Sequence, residues 1–303
     1  MSPGKEEEPA ASTRRTEDAW TVGRLLTWTA DWLARRGSEF PRLDAEVLLA
    51  HVRTCSRISL YTAFDEVVGE EQRSHFRQLV QRRGEGEPVA YLTGVREFFS
   101  IPIRVTRDVL VPRPETEMLV VRAIDLCRGI PSPRIADVGT GSGAVAVSIA
   151  THLPAADVTA IDRSAAAVVV ARDNVVARGL SDRVTCVEGD LLGGLSPDER
   201  FDLIVSNPPY VSESEFDDLP PDVRLHEPRE ALVAGPKGVE VLARLASEAV
   251  GRLKAGGWLL MEIGPATLAE QAIEEVRGLH RVETLKDLAG CPRLVQAFRV
   301  AEP

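Results

Sequence analysis

What this sequence has little of excludes several classes at once. It holds four cysteines, Cys55, Cys127, Cys186 and Cys291, far apart and without a CxxC pair. Structural zinc sites and disulfide frameworks need close or paired cysteines, so neither is expected, and the usage suits a reducing cytosol. The five histidines are equally scattered, and no metal site is expected. No apolar run approaches the roughly 20 residues that span a bilayer, so no membrane association is expected. Basic charge is also short: 36 Lys and Arg stand against 46 Asp and Glu, a net charge of −10. Proteins that grip a phosphate backbone usually carry a basic surface, so direct nucleic-acid binding is not expected. Arg77, Arg82 and Arg83 cluster locally and read as a solvated helix face. Residues 1–18 are rich in Glu, Ser, Thr, Pro and Ala and lack the basic-then-apolar pattern of a signal peptide. They are expected to be a disordered tail on a cytoplasmic protein.

What is present suffices for a large domain and a smaller one. Residues 19–87 read as a helical bundle. Val22, Leu25, Leu26, Thr29 and Leu33 keep helical spacing along one face. After the breakers Gly37 and Pro41, a second helix is expected over 44–52, with Leu43, Val47, Leu48 and His51 near one face. A third is expected over 70–83, with Phe76, Leu79 and Val80 inward. Such a bundle carries no chemistry of its own; partner recognition or covering a site is its expected task. Over 88–111 the texture changes. Ile101, Ile103 and Val105 alternate with polar or turn residues, and Val109–Val111 reads as a second short strand. A linking β-hairpin is expected there. Pro114 then suits the first position of a helix, with Glu115 and Glu117 in its first turn.

Residues 112–303 alternate strands and helices. Strands are expected at 135–138, 158–161, 184–187, 203–205, 258–263, 281–286 and 294–300. Helices are expected at 143–152, 165–178, 239–253 and 265–276. This order predicts an α/β fold of Rossmann-like type: a seven-stranded, mostly parallel sheet with helices on both faces. The last two strands, joined without a helix, form an antiparallel edge hairpin.

Two loops carry the chemistry. Asp137 to Gly143 reads DVGTGSG, after a strand and before a helix. Glycines permit a tight turn and close approach of backbone to a ligand. Asp162 ends the next strand, where a carboxylate can take both hydroxyls of a ribose. Gly189, Asp190 and Leu191 end the third, where a polar and an apolar group can hold an adenine ring. Asp137 suits a cationic end such as the amino group of methionine. A dinucleotide fingerprint would need GxGxxG, whereas Gly139, Gly141 and Gly143 are spaced by two and Ala144 follows.

The second loop is Asn207 to Tyr210, NPPY, after the strand ending at Ser206. In open α/β sheets ligands lie outside the carboxyl ends of the strands, so this loop is expected beside the first. The nitrogen of an amide or aromatic amine is a poor nucleophile, because its lone pair is delocalised. The Asn207 side-chain oxygen can accept one N–H and the Pro208 carbonyl the other. The prolines donate no hydrogen bonds and make a rigid edge of acceptors. Tyr210 offers a flat face to a planar target. Acceptors aimed at nitrogen also stabilise the positive charge that develops there. No general base is evident, and proton loss can follow transfer.

Together these motifs resemble the HemK/PrmC family, the release factor glutamine methyltransferases. NPPY alone also fits adenine and cytosine N-methyltransferases of DNA. The discriminating segments are EPVAYLTG at 87–94 with Glu97, Phe98 and Phe99; VPRPETE at 111–117; Asp44-Ala-Glu with Arg82 and Arg83; EPREAL at 227–232 with Gly235 and Gly238; and DLAG at 287–290 with Arg293. The likeness runs in order over roughly residues 20–300. It implies an enzyme that uses S-adenosylmethionine, releasing S-adenosylhomocysteine, to methylate the glutamine of a Gly-Gly-Gln motif in peptide chain release factors. It implies that Asn207, Pro208, Pro209 and Tyr210 hold the glutamine amide as catalytic and substrate-binding residues. Asp137, Gly139, Thr140, Gly141, Ser142, Gly143, Asp162, Asp190, Leu191 and Asn207 would then line the cofactor, with Phe98, Phe99 and Arg113 nearby. The N-terminal bundle would help hold the release factor, and the enzyme is expected to be a monomer. Leu191 stands where some members carry an aromatic residue, and Arg163 has no evident role. An N-methyltransferase acting on another protein, a nucleic-acid base or a small amide or amine is the alternative.

Overall fold

The computed structural model describes residues 19–264 and 268–300. The expected tail at 1–18 and the start of the helix expected at 265–276 therefore lie outside the described residues. The chain divides into two units between Thr93 and Gly94.

The first unit is helical: α1 Val22–Ala34, α2 Pro41–Val52, α3 Arg57–Thr62, α4 Glu70–Gly84 and α5 Val89–Thr93. Thr21 caps α1, its side chain accepting the Arg24 N–H at 3.2 Å, a bond that satisfies one of the orphan donors of a helix start. The expected face of α1 is the buried one: Val22, Leu25, Leu26, Thr29 and Leu33. The face expected for α2 is not. Ala45, Leu48 and Leu49 point inward together with Asp44 and Glu46, while Leu43 is 40% exposed and His51 is exposed. The reason is ion pairing, which an apolar pattern cannot reveal. Asp44 accepts from Arg83 at 2.7 Å and from the Ser38 hydroxyl at 2.7 Å. Glu46 is held by Arg42, Arg57 and the Tyr61 hydroxyl. Arg82 pairs with Glu87, at 2.7 Å. So Arg82 and Arg83 are not a solvated basic face; they neutralise buried carboxylates, which could not otherwise be buried cheaply.

The second unit opens on the hairpin of β1 Val95–Phe98 and β2 Ile101–Arg104. Phe99 and Ser100 make its two-residue turn, both with positive φ (51° and 59°), as tight hairpin turns demand. The hairpin is shorter than expected. Pro88–Thr93 contributes α5 instead, and Val109–Val111 forms no strand, although Val109 and Val111 are buried. Asn174 ties the hairpin to the glycine loop: its Oδ1 accepts the Arg104 N–H at 2.8 Å, while Nδ2 donates to the carbonyls of Arg104 and Ser142.

The remaining elements are α6 Glu117–Cys127, β3 Arg134–Val138, α7 Ala144–His152, β4 Asp157–Asp162, α8 Ala165–Ala177, β5 Val184–Glu188, β6 Phe201–Ser206, β7 Val211–Ser212, α9 Pro221–His226, β8 Val233–Gly235, α10 Glu240–Arg252, β9 Leu253–Glu262, α11 Ala269–Glu274, β10 Leu279–Lys286 and β11 Pro292–Arg299. Seven strands form one sheet in the order β10-β11-β9-β6-β3-β4-β5. β9, β6, β3, β4 and β5 run parallel, and β11 and β10 close the edge antiparallel, as expected. The near-continuous apolar reading of β3, β4 and β6 reflects burial on both faces. The chain leaves β3 toward β4 and β5, then returns to place β6 on its other side. That reversal opens a crevice at the carboxyl ends of β3 and β6. β9 begins five residues earlier than expected, with a register shift against β6. The pair β7–β8, parallel and set apart from the main sheet, was not legible in the sequence.

Candidate active site

The crevice is built from strand ends. β3 delivers Asp137 and then the glycine loop. Gly139, Gly141 and Gly143 all sit at positive φ, 71°, 55° and 78°, where L residues are strained. At Gly143 a Cβ would also come 3.2 Å from Cα of Ala171, so any other residue there would press on the helix behind. The loop is anchored sideways: the N–H groups of Gly139 and Thr140 donate to the Ile161 carbonyl at 2.8 and 2.9 Å.

Asp162, at the end of β4, is a structural hub as well as a wall of the crevice. Its Oδ2 accepts the Gly141 N–H and its Oδ1 the Ser164 N–H, each at 2.9 Å. Burial pushes its carboxyl up, and these bonds oppose the shift. Asp137 is 1% exposed. Its Oδ2 accepts from the Thr140 hydroxyl at 2.6 Å and from the Ala146 N–H at 3.1 Å. Burial raises its carboxyl to about 6 despite both bonds. A buried carboxylate lining a crevice is a natural partner for a cationic ligand end, because pairing relieves the cost of its charge.

Asp190 and Leu191 lie across the crevice after β5. Leu191 holds φ 52°, unusual for a branched side chain, and lines the crevice. Asp190 pairs with Arg244 of α10 at 2.8 Å, both largely exposed. Arg163 lines the crevice too, next to Asp162.

β6 delivers the NPPY loop. Asn207 is half-buried, and its Nδ2 donates to Oγ1 of Thr116 at 3.1 Å. The Asn207 Oδ1 is thereby directed away from that bond. Tyr210 packs its ring on Gly264, where a Cβ would meet the ring at 2.9 Å. A Cβ on Gly238 would come 2.7 Å from the Tyr210 carbonyl, so the segment after β8 can pass the loop only as glycine. Arg113 lines the crevice and pairs at 2.5 Å with Glu227, whose side chain is 2% exposed.

Of the residues expected at the site, Asp137, Gly139, Thr140, Gly141, Ser142, Asp162, Asp190, Leu191, Asn207, Pro208, Pro209 and Arg113 line one crevice. Three do not. Phe98 is 1% exposed and belongs to the core, since it ends β1 opposite Ile101 with its side chain turned inward. Its neighbour Phe99 stacks edge-on against His152 at 4.8 Å. Gly143 backs onto α8, and Tyr210 faces Gly264. Sequence reasoning missed Thr116 and Arg244, which also line the crevice. The threonine lies in the 111–117 segment and at a helix start, and no local signal marks its contact with Asn207.

The comparisons with known proteins agree with this architecture. Residues 24–94 match the PrmC N-terminal domain and residues 117–235 the Methyltransferase small domain. A release factor glutamine methyltransferase of Rhodopirellula baltica is 55% identical over 91% of this chain and 95% of its own. One from Moorella thermoacetica is 41% identical over 93% of this chain and 100% of its own. Among solved structures, a 16S rRNA methyltransferase of Thermus thermophilus superposes with a TM-score of 0.52 at 20% identity, covering 68% of this chain and 49% of that one, a likeness of fold alone. With more than half of its residues shared with a curated member over nearly its whole length, the chain belongs to the release factor glutamine methyltransferase family.

Proposed function

We propose that this protein transfers a methyl group from S-adenosylmethionine to the side-chain amide nitrogen of the glutamine in the Gly-Gly-Gln motif of peptide chain release factors. The observation that carries the reading is the meeting of the NPPY loop and the glycine loop in one crevice, within a chain of this family. The crevice suits the cofactor chemically. Left-handed glycines leave backbone close to a ligand, Asp162 stands at a strand end, Leu191 offers an apolar wall, and buried Asp137 can meet a positive charge. S-adenosylmethionine supplies an electrophilic methyl on a positively charged sulfur and leaves as S-adenosylhomocysteine.

The protein's own residues do the rest by placement. The Asn207 side-chain oxygen and the Pro208 carbonyl accept the two N–H groups of the glutamine amide. Twisted and held, that nitrogen presents its lone pair along the direction of attack. As the N–C bond forms, charge grows on nitrogen, and the same two acceptors stabilise it without having to reorient. The extra proton then leaves to solvent. Pro208 and Pro209 keep the acceptor edge rigid, and Tyr210, its ring packed on Gly264, braces the end of the loop.

The helical unit supports acceptor recognition. A groove of about 510 Å³ lies beside α1, lined by Trp20, Trp28, Trp32, Arg36 and Arg77. Trp28 is 46% exposed, and the Arg36 guanidinium lies 3.5 Å from the Trp32 ring centroid. On a chain of net charge −10 this is a local cationic and aromatic surface, suited to an acidic, apolar patch of the release factor. Arg77→Glu should raise KM for intact release factor about fivefold while leaving a short Gly-Gly-Gln peptide unaffected. Equal effects on both acceptors would remove the groove from recognition. The reading takes the enzyme as a cytoplasmic monomer acting on protein rather than nucleic acid.

The deciding experiment is methyl transfer from labelled S-adenosylmethionine to purified release factor, with mass spectrometry of the Gly-Gly-Gln peptide. One added methyl on that glutamine is the expected result. Binding of the cofactor without transfer to any release factor would overturn the substrate assignment.

A further inference from the structure

The loop that follows β5 is gripped by one helix. On α10, Arg244, Glu248 and Arg252 are spaced by four residues and so lie on one face. All three bond the loop. Arg244 Nη2 donates to Oδ2 of Asp190 at 2.8 Å. Glu248 Oε2 accepts the Leu192 N–H at 3.1 Å. Arg252 donates to the carbonyls of Leu192, Leu195 and Ser196. Between the first two anchors sits Leu191, in the left-handed region at φ 52°. A residue other than glycine keeps that conformation only where its surroundings over-determine it, and such residues cluster at ligand sites. Folding does not explain the outermost anchor. The Arg244 and Asp190 side chains are 55% and 59% exposed, and an exposed ion pair contributes little to stability. Both residues do line the crevice, with Leu191 between them and the glycine loop in the same wall.

We propose that Arg244 is a positioning residue for the purine end of the cofactor: it fixes Asp190 so that the free carboxylate oxygen accepts the exocyclic N–H of adenine, and thereby sets a preference for an amino-purine over an oxo-purine. The inference rests on the reading of the crevice as the S-adenosylmethionine site.

A carboxylate has two oxygens and can only accept. In Asp190 one of them, Oδ2, is taken by Arg244; Oδ1 carries no hydrogen bond among the described residues. The main chain of Asp190 is held as well, its carbonyl accepting the Gly193 N–H at 3.0 Å. The direction of Oδ1 is therefore set before a ligand arrives. Leu191 offers the purine an apolar wall but no ring to stack on, so discrimination falls to the edge of the base. At that edge adenine presents an N–H donor, which makes a charge-assisted bond to a carboxylate. An oxo-purine presents lone pairs at the same point and sets acceptor against acceptor. An unanchored carboxylate would turn toward water and blur the difference, since ordering it would cost side-chain entropy on binding. The planar fork of an arginine suits this task better than a point charge does. Glu248, 3.8 Å from the Arg244 guanidinium, holds the arginine over the loop while its other oxygen pins the next peptide.

The test is calorimetric binding of S-adenosylhomocysteine and of its deaminated analogue, S-inosylhomocysteine, to the full chain. Wild type should prefer the amino-purine by more than about tenfold. Arg244→Ala should weaken S-adenosylhomocysteine about fivefold and leave S-inosylhomocysteine within about twofold, so the preference shrinks. Arg244→Lys keeps the charge without the fork and should fall between. Asp190→Ala should lose the preference, and adding Arg244→Ala to it should cost no more than about a further twofold, because the arginine acts through Asp190. Thermal midpoints within about 2 °C of wild type are expected for the Arg244 variants, as for any exposed pair. Equal losses for both ligands in Arg244→Ala would mean a loop merely loosened and would overturn the proposal. So would a fivefold loss that persists in the Asp190→Ala background, or wild type that binds both ligands alike. Failure of wild type to bind S-adenosylhomocysteine at all would instead overturn the cofactor reading of the crevice, and this inference with it.

Discussion

Asn207→Ala should lower kcat for release factor methylation by about two to three orders of magnitude while the enzyme still binds its cofactor. The expectation follows from where the side chain sits. Asn207 is half-buried at the end of β6 and held by Thr116, and on the proposed mechanism its amide oxygen is the acceptor for a glutamine N–H. Alanine leaves the backbone carbonyl of Pro208 as a single acceptor and frees the target amide to rotate, so both orientation and charge stabilisation are lost. On the same proposal the cofactor is held mainly by other residues that line the crevice: the glycine loop, Asp162 and Leu191. Single-turnover rates with saturating cofactor, together with calorimetric binding, separate the two effects. Turnover at the wild-type rate would remove the NPPY loop from the chemistry.

Asp162→Ala should weaken cofactor binding by about one to two orders of magnitude. The carboxylate has two tasks, only one of which is visible in the sequence. It faces the crevice at a strand end, where ribose hydroxyls are expected. It also accepts the N–H groups of Gly141 and Ser164, fixing the glycine loop against the start of α8. Alanine removes the ligand contact and leaves two backbone donors without their partner, and hydrogen bonds to charged groups are worth about 1.5–3 kcal/mol each. Asp162→Asn keeps one acceptor and should fall between. Calorimetry on folded protein, with circular dichroism as the control, measures this directly. Unchanged affinity in Asp162→Ala would exclude the residue from the cofactor site.

The strands that end at these two residues were the most legible part of the chain. The parallel strands announced themselves as short apolar runs between helices, because a strand buried on both faces needs apolar residues throughout. The face of α1 was equally plain. The face of α2 was misread because Asp44 and Glu46 are buried against Arg83, Arg42 and Arg57. A hydrophobic pattern counts carboxylates as outward, and only the arrival of arginines from other helices makes the inward choice favourable. The same holds for Phe98. Its neighbours resemble a family hairpin, yet the side pointing to the core was set by the positive-φ turn at Phe99 and Ser100.

The sequence by itself determined the class of fold, the edge hairpin, the two loops that meet in the crevice and the family, because periodicity, turn chemistry and contiguous motifs are written within short spans of chain. Tertiary structure alone decided how those parts are tuned. Thr116 reaches Asn207 across 91 residues of chain. Asp162 grips the loop before it, and Gly264 exists to admit the Tyr210 ring. Hydrogen-bond polarity and steric fit belong to pairs of atoms, and which atoms pair is settled only when separate strand ends are brought together at one edge of the sheet.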